Sequence, residues 1–431
     1  MNVGLIYLPH PWLTQPNAQI PIGLLYLAAI LEKANTECDV FNFSDGTEDA
    51  AIERLPKRDV YGITVTSLEL LQANRFASKI KEKYPHSQIW LGGPGTISDE
   101  FIDWNVIDKI CVGDGETAIL DMIHDVKNQA IDNPYAKRVY KCKPVHDLDD
   151  IPFPAREKLS NLGGNIFAYN KQYDGAGGST VLLTSRGCPF SCAFCASPYI
   201  CRKYQYRSVE NVMAEVDQII SKYGIRQIRI SDDMFTANIP RALAISEEMG
   251  KRDVSWRIST RVKPFARKLA EGLVAGGCKE VSFGIESFDN EVLEVLKKGT
   301  TAEDNALAMV EAKNAGLTVR LLFMIATPGQ TPSTLVCNKH YLEMYDDYYD
   351  IIACTTFIPI PGCDIWYHPE KYGVEILNRN LDDYNFYFFS NGKENPLKDV
   401  IKIKSRTQAE FNKESEMFRR YLLTTGKVNT G

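Results

Sequence analysis

Cys188, Cys192 and Cys195 crowd into the stretch RGCPFSCAFCASP, separated by three residues and then two. Thiolates bind soft metals, and clusters of iron and sulfide are normally held by four of them. Three at this spacing can wrap one face of a cubic four-iron cluster and leave one iron without a protein ligand. An open position is what a catalytic metal needs and a structural one lacks. The competing reading is a zinc site completed by a remote ligand, with Cys201 the nearest spare thiol. The turn at Gly187-Cys188-Pro189 and the tight grouping argue against chance packing, and an open iron–sulfur site is the favoured reading.

Elements must hold this loop in place. The first 130 residues alternate short apolar strands (3–8, 38–43, 59–64, 88–92 and 108–112) with helices at 22–33 and 68–84. Strands buried on both faces read this way, and the βαβ alternation predicts a Rossmann-like, doubly wound parallel sheet. Ligands of such sheets sit at the carboxyl ends of the strands. Those ends carry Thr64 to Ser67, Gly92-Gly93-Pro94-Gly95 and Gly113-Asp114-Gly115-Glu116. Small residues there let a ligand approach the backbone, although glycines that only make tight turns would look the same. Residues 131–178 are rich in Pro, Gly and Asp and read as a linker.

A second series follows, with strands expected at 180–184, 227–231, 255–259, 280–285, 319–325 and 352–358. Ser208 caps a helix at 209–222, Asp289 one at 291–298 stopped by Gly299, and Thr301 opens one that Gly316 closes. Six βα units over 179–362 predict an open, partial (β/α)6 barrel, with chemistry at the C-terminal strand ends. The cysteine stretch follows the first of these strands. Residues 363–431 form a short C-terminal extension that ends in a polar helix near 407–423. The fold class is thus α/β throughout.

Composition bounds the function. Of 431 residues, 44% are apolar, and the net charge is −6 with no long basic run. This argues against nucleic acid and against an acidic membrane as the main partner. The start lacks the positive n-region of a signal peptide, and no apolar run is long enough to span a bilayer. Eleven cysteines, an odd and mostly scattered set, read as reduced thiols in the cytoplasm.

The cysteine stretch resembles the C-x-x-x-C-x-x-C signature of the radical S-adenosylmethionine (SAM) enzymes. The resemblance extends to RISDDMF (229–235), STR (259–261), FGIES (283–287), FMIATPGQT (323–331) and FIPIPG (357–362), each at a predicted strand end and in order. It implies a [4Fe-4S] cluster on Cys188, Cys192 and Cys195, and SAM held by Phe194, Asp232, Asp233, Ser259, Arg261, Glu286 and Ile325. The N-terminal region is similar to the cobalamin-binding domain of one radical SAM subfamily, through PIGLLYLAAILEK, VYGITVTS, IWLGGPGT and ICVGDGE. That implies cobalamin near Thr64, Ser67, Gly92, Gly93, Gly113, Gly115 and Glu116. The chain departs from the D-x-H-x-x-G cobalamin motif: the near match is Leu8, His10, Leu13, so His10 is read as a loop residue.

By this resemblance the chain reductively cleaves SAM to a 5′-deoxyadenosyl radical and C-methylates a small metabolite or natural-product intermediate. Flavodoxin or ferredoxin is the implied electron donor. The alternatives are a radical dehydratase, epimerase or rearrangement enzyme with a vestigial cobalamin domain, and a zinc-stabilised binding protein without catalysis.

Several residues are weighed singly. Asp232 and Asp233 either meet the SAM ammonium or form a solvated turn with a helix cap. Glu286 ends an apolar strand, where a carboxylate needs a partner. Arg261 is a candidate partner, or both reach the polar groups of SAM, the reading preferred over a purely structural ion pair. Cys201, Cys278, Cys337, Cys354 and Cys363 read as core or incidental thiols, and the aromatic run DYNFYFF (383–389) as a lid over the core.

Overall fold

Short β-branched runs separated by amphipathic helices build two parallel sheets, one in each of two compact units, Met1–Val181 and Leu182–Gly431. The computed structural model describes residues 1–13, 16, 20–128, 138–162, 178–201, 203–384, 400–404 and 406–428. No helix among them is long and apolar enough to cross a membrane.

The first unit runs β1 (Asn2–Tyr7), α1 (Ile22–Lys33), β2 (Glu37–Asn42), α2 (Glu48–Arg54), β3 (Val60–Thr64), α3 (Leu70–Lys83), β4 (Gln88–Gly92), β5 (Lys109–Val112), α4 (Ile119–Asn128) and β6 (Val139–Lys141). The strands are parallel in the order β2-β1-β3-β4-β5-β6. The chain steps out from β1 to β2 and returns past β1 to β3. Right-handed crossovers on either side of that reversal put helices on both faces. The strand order switches between β1 and β3, where doubly wound sheets open a ligand crevice. Val3, Leu5, Val40, Val60 and Trp90 pack with Leu24, Leu25, Ala28 and Leu31 of α1 in one core.

β6 lies inside the segment expected to be a linker. Three residues on a sheet edge carry too little alternation to register as a strand. Of the rest of 131–178, residues 131–137 and 163–177 lie outside the described residues. The same holds for 385–389 of the aromatic run, in which Tyr384 is buried and its hydroxyl donates to the Asn378 carbonyl.

At the junction, β7 (Ser179–Leu182) opens the second sheet. After it come β8 (Ser185–Arg186), α5 (Ser197–Ile200), β9 (Gln205–Tyr206), α6 (Val209–Tyr223), β10 (Gln227–Ile230), α7 (Ile239–Lys251), β11 (Ser255–Thr260), α8 (Arg267–Ala275), β12 (Cys278–Glu286), α9 (Asn290–Val295), α10 (Ala302–Ala315), β13 (Thr318–Ile325), α11 (Pro332–Met344) and β14 (Ile351–Thr356). The sheet order is β7-β10-β11-β12-β13-β14, so each new strand is added on the same side. With right-handed crossovers and no reversal, every helix falls on one face and the other is left concave. The open, six-stranded partial barrel follows. β11 and β13 alternate strictly: Trp256, Ile258, Val319, Leu321 and Phe323 are buried on the helix side, while Arg257, Ser259, Arg320, Leu322 and Met324 are half-buried on the other. A hairpin of β15 (Val374–Ile376) with β16 (Ile401–Ile403) and a helix, Gln408–Thr424, complete the unit.

Helix ends follow local chemistry. The Ser208 side chain accepts from Asn211 N and Gly224 closes α6 in the left-handed region. Thr301 and Asp304 form a capping box for α10, which Gly316 closes. α9, expected to reach 298, stops at Val295. Lys297 takes a φ of 51° and the chain turns, which carries Lys298 back toward the end of β12.

Candidate functional site

The cysteine loop leaves β7 and is fastened at its base before it reaches the first thiol. Asp232, just past β10, accepts from Thr184 N at 2.7 Å, Thr184 Oγ1 at 2.5 Å and Ser185 Oγ at 2.7 Å. The two-stranded β8–β9 ladder pairs Ser185 with Tyr206 and Arg186 with Gln205. Arg241 Nη2 donates to the Thr184 carbonyl at 2.6 Å. At Gly187, φ is 79° and an added Cβ would lie 2.7 Å from the Lys203 carbonyl, so only glycine lets this turn sit against the chain. Further along, Ala193 N donates to the Leu296 carbonyl at 2.9 Å, and Ile365 N to the Ala193 carbonyl at 3.1 Å. The loop is therefore held from the barrel, from the exit of α9 and from the C-terminal extension.

Cys192 is buried, and Cys188 and Cys195 are half-buried. Burial pushes the thiols of Cys188 and Cys195 above their ordinary range. Without a metal they carry protons, which a metal would displace. Arg261, one residue past β11, donates from Nη1 to Cys192 Sγ at 2.9 Å and from Nη2 to the Lys298 carbonyl. Its guanidinium lies 4.0 Å from the centre of the Phe190 ring. Asp233 stands beside the cysteines, with Ser197 Oγ 3.4 Å away, and burial raises its carboxyl.

Glu286 ends β12 in the left-handed region, φ 63°, where β12 and β13 slip register. Ala326, one residue past β13, has a φ of 60°. Left-handed backbone at two neighbouring strand ends is strain of the kind that clusters at functional sites. The partner of Glu286 is Lys298, Nζ to Oε1 2.8 Å, and not Arg261 as the sequence suggested. Arg261 is engaged with Cys192 instead, and the early end of α9 frees Lys298 to reach the carboxylate. Lys298 Nζ also lies 5.6 Å from the centre of the Phe194 ring. An added Cβ at Gly284 would sit 2.8 Å from both Glu286 Oε1 and Lys298 Nζ, so glycine makes room for the pair over the strand.

The structure thus gathers Cys188, Cys192, Cys195, Phe194, Asp233, Arg261 and Glu286 at the C-terminal ends of the strands. It divides the aspartate pair, with Asp232 committed to Thr184 and Ser185. Ser259 lies on the concave face of β11, whereas the Ile325 side chain is buried on the helix side of β13. Lys298 and Phe190 escaped the sequence reading. The signal for Lys298 was a second lysine directly before Gly299, with an acid in need of a cation at the strand end. Among the described residues no three His, Cys, Asp or Glu side chains converge enough to hold a single metal ion. Three thiols with a buried cation against one of them fit a cluster that spreads its cysteines over separate irons.

In the first unit, the loops after β3 and β4 interlock. Val65 N donates to the Gly92 carbonyl and Gly95 N to the Val65 carbonyl, both at 2.9 Å. Gly93 has a φ of 93°, and a Cβ there would meet Thr64 Oγ1 and the Val65 carbonyl at 2.8 Å. Its role is close packing of the chain on itself. Gly92 differs: nothing lies within 4 Å of where its Cβ would be, which leaves open backbone at the strand end. Ser67 is buried in the turn that follows β3, and Gly113 (φ 104°) packs against the Cys142 carbonyl. Gly115 packs against Leu27, 3.2 Å from its would-be Cβ, and Glu116 is half-buried.

His10 does lie in a loop, but it is buried and its Nε2 is hydrogen-bonded to Glu69 Oε1 beside the β1–β3 switch point. Burial alone would raise the Glu69 carboxyl, but the bonds from His10 and Thr66 prevail and lower it. Among the described residues, His10 Nδ1, Gln72 Oε1 and Ser98 Oγ are buried without a partner. Unsatisfied polar atoms on the loops and helix that follow β1, β3 and β4, beside open backbone at Gly92, fit a polar group seated on this edge.

Comparison with known proteins agrees with this division. Residues 14–123 match the B12 binding domain and residues 182–336 match the Radical SAM superfamily. An uncharacterized methyltransferase of Pyrococcus horikoshii is 28% identical over 412 residues, covering 91% of this chain and 85% of that protein. The anaerobic magnesium-protoporphyrin IX monomethyl ester cyclase of Rubrivivax gelatinosus is 26% identical, covering 85% and 68%. The fold is shared with the radical S-adenosylmethionine methyltransferase TsrM from Kitasatospora setae, solved with cobalamin and a [4Fe-4S] cluster, with a TM-score of 0.64, 17% identity, and coverage of 87% and 80%. The chain therefore joins a B12-binding domain to a domain of the radical SAM superfamily.

Proposed function

We propose that the protein is a cobalamin-dependent radical SAM enzyme that C-methylates a small molecule. The observation that carries this reading is the fastened three-cysteine loop at the barrel mouth, in a chain whose earlier residues 14–123 match the B12 binding domain. Cys188, Cys192 and Cys195 would hold a [4Fe-4S] cluster, and Gly92 with its neighbouring loops would seat cobalamin. Bound there, the two cofactors supply the electron that cleaves SAM to a 5′-deoxyadenosyl radical and the methyl group for the substrate carbon.

The chain's own residues position and shield. Arg261 neutralises the Cys192 thiolate and fixes its direction. Asp233 offers a carboxylate to the SAM ammonium, a role that Asp232 cannot share while it holds Thr184 and Ser185. Lys298 bonds Glu286 and holds its carboxylate aimed along the strand end. Phe194 offers an apolar wall beside the thiols that helps to exclude water from a radical that attacks any C–H bond, and Phe190 covers the Arg261 guanidinium. A flavodoxin or ferredoxin of the cytoplasm would supply the electron.

A second reading is a radical dehydratase, epimerase or rearrangement enzyme whose B12-type domain carries no corrinoid. The likeness to a protein named as a cyclase and the lack of D-x-H-x-x-G favour it. Anaerobic analysis of iron, sulfide and corrinoid on one sample, with 5′-deoxyadenosine release measured under dithionite, separates the readings. Iron, sulfide and corrinoid together support methylation, and iron and sulfide without corrinoid uptake support the second reading. One zinc without sulfide, or SAM cleavage that survives Cys192→Ala, refutes both.

A further inference from the structure

The concave face of the second sheet carries more positive charge than its own acids balance. Arg229 of β10 is in register with Arg257 of β11, and Arg257 with Glu280 of β12. Arg320 of β13 lies one row further on, opposite Ser282. Glu280 is buried and accepts from Arg320 at 2.9 Å and 3.4 Å, with Arg257 Nη1 at 3.8 Å. Among the described residues, Arg320 and Arg257 thus meet on one carboxylate, and Arg229 stands beside them.

Arg229 is the odd one. Among the described residues no hydrogen bond or ion pair reaches its guanidinium, and the charges that act on it are those of Arg257 and Arg320. Burial and those neighbours hold it down to about 10. Burial, then the charge of Arg320, does the same to Arg257. Arrays of like charge out of water are costly unless an anion completes them. The crossover helices lie against the opposite face of these strands, so an anion completing the array would have to lie on this one.

We propose that Arg229, Arg257 and Arg320 form an anion site in the barrel that takes the phosphate or carboxylate terminus of the substrate. Guanidinium forks suit both oxyanions. Arg257 lies on β11 four residues before Arg261, which follows the strand directly, and at a strand's rise this puts the site about 13 Å below the level of the cysteine contact. The substrate is thus an extended molecule with its anionic end well removed from the reacting carbon. That last step rests on the radical SAM reading, whereas the anion site itself does not.

The test uses the anaerobically reconstituted full chain and inorganic phosphate as probe, with chloride at matched ionic strength as control. Phosphate is expected to raise the thermal midpoint saturably. Arg229→Gln should raise the midpoint without phosphate, because a repulsion is removed, and weaken the phosphate response about tenfold or more. A purely structural arginine gives the opposite sign. Equal phosphate responses in the two proteins, or a destabilised variant that still responds, overturn the site. If Arg229→Gln does not fold, Arg229→Lys keeps the charge but loses the fork, and an undiminished phosphate response there overturns it equally. Titration of SAM with and without saturating phosphate separates the source of the anion. Independent binding supports a substrate terminus, and competition assigns the site to the SAM carboxylate and overturns the proposal. SAM cleavage by the wild type is read separately, so failure of the radical SAM reading leaves a distinct signature.

Discussion

Lys298 and Glu286 are the sharpest test of how dry the strand ends are. Their side chains are 5% and 10% exposed, and Nζ lies 2.8 Å from Oε1. Two unit charges at that separation attract by ~1.5 kcal/mol in bulk water and by ~6 kcal/mol at an effective dielectric of 20. Desolvation offsets most of this gain, so the intact pair adds little net stability. Removing one partner strands the other, at about 3–5 kcal/mol. Lys298→Met should therefore lower the opening free energy of β12 by that amount. Glu286→Gln should cost less, because a neutral amide beside a lysine that can bend toward water leaves a smaller deficit. The double variant should recover most of the loss, since neither buried charge remains. Hydrogen exchange followed by mass spectrometry on peptides spanning 278–286 reads these values, and the double-mutant cycle isolates the coupling. A coupling no larger than the bulk-water figure, or a Lys298→Met cost below about 1 kcal/mol, refutes the argument that this end of the barrel excludes water.

Other outcomes follow from single contacts. Gly92→Ala should leave urea stability unchanged and weaken corrinoid uptake, whereas Gly93→Ala should cost about 1–3 kcal/mol from its backbone conformation, before the 2.8 Å clashes are added. Equal effects at the two positions would show that Gly92 faces no ligand. Arg261→Gln removes a charged donor from Cys192 Sγ and should lower the midpoint potential of a reconstituted cluster, read by a redox titration with electron paramagnetic resonance. An unchanged potential would mean that the guanidinium does not touch the ligand sulfur. Glu69, whose carboxyl is lowered, contributes stability that is complete above the ordinary carboxylate value and lost as pH falls through its folded value. The urea midpoint of the wild type should drop more steeply below pH 5 than that of Glu69→Gln.

Much of this architecture was legible in the chain. The strand series, the capping residues Ser208, Asp289 and Thr301, and the partial barrel depend on periodicity and local hydrogen bonds, which a single sequence carries. The grouping of the three cysteines with Phe194, Asp233, Arg261 and Glu286 was legible through the motif resemblance, whose segments fall at or just past strand ends. What escaped depends on contacts across the chain. Asp232 and Asp233 are adjacent, and only the position of Thr184 and Ser185 decides which turns inward to the protein. Lys298 reaches Glu286 because α9 stops a residue pattern early, and helix length is weakly encoded near a terminus. His10 looked like a loop residue without its motif. Burial against Glu69, fifty-nine positions away, is invisible to any local pattern.

Strand order explains why the two units offer different seats. Both are parallel βα sheets. In the first, the reversal between β1 and β3 covers both faces with helices, so a ligand can reach only the carboxyl edge, where Gly92 leaves the backbone open. In the second, the unbroken order leaves one face free of crossover helices, and that face holds arginines several residues below the mouth. An edge suits a flat group that approaches the backbone. A concave face suits a molecule that extends inward from the reacting end.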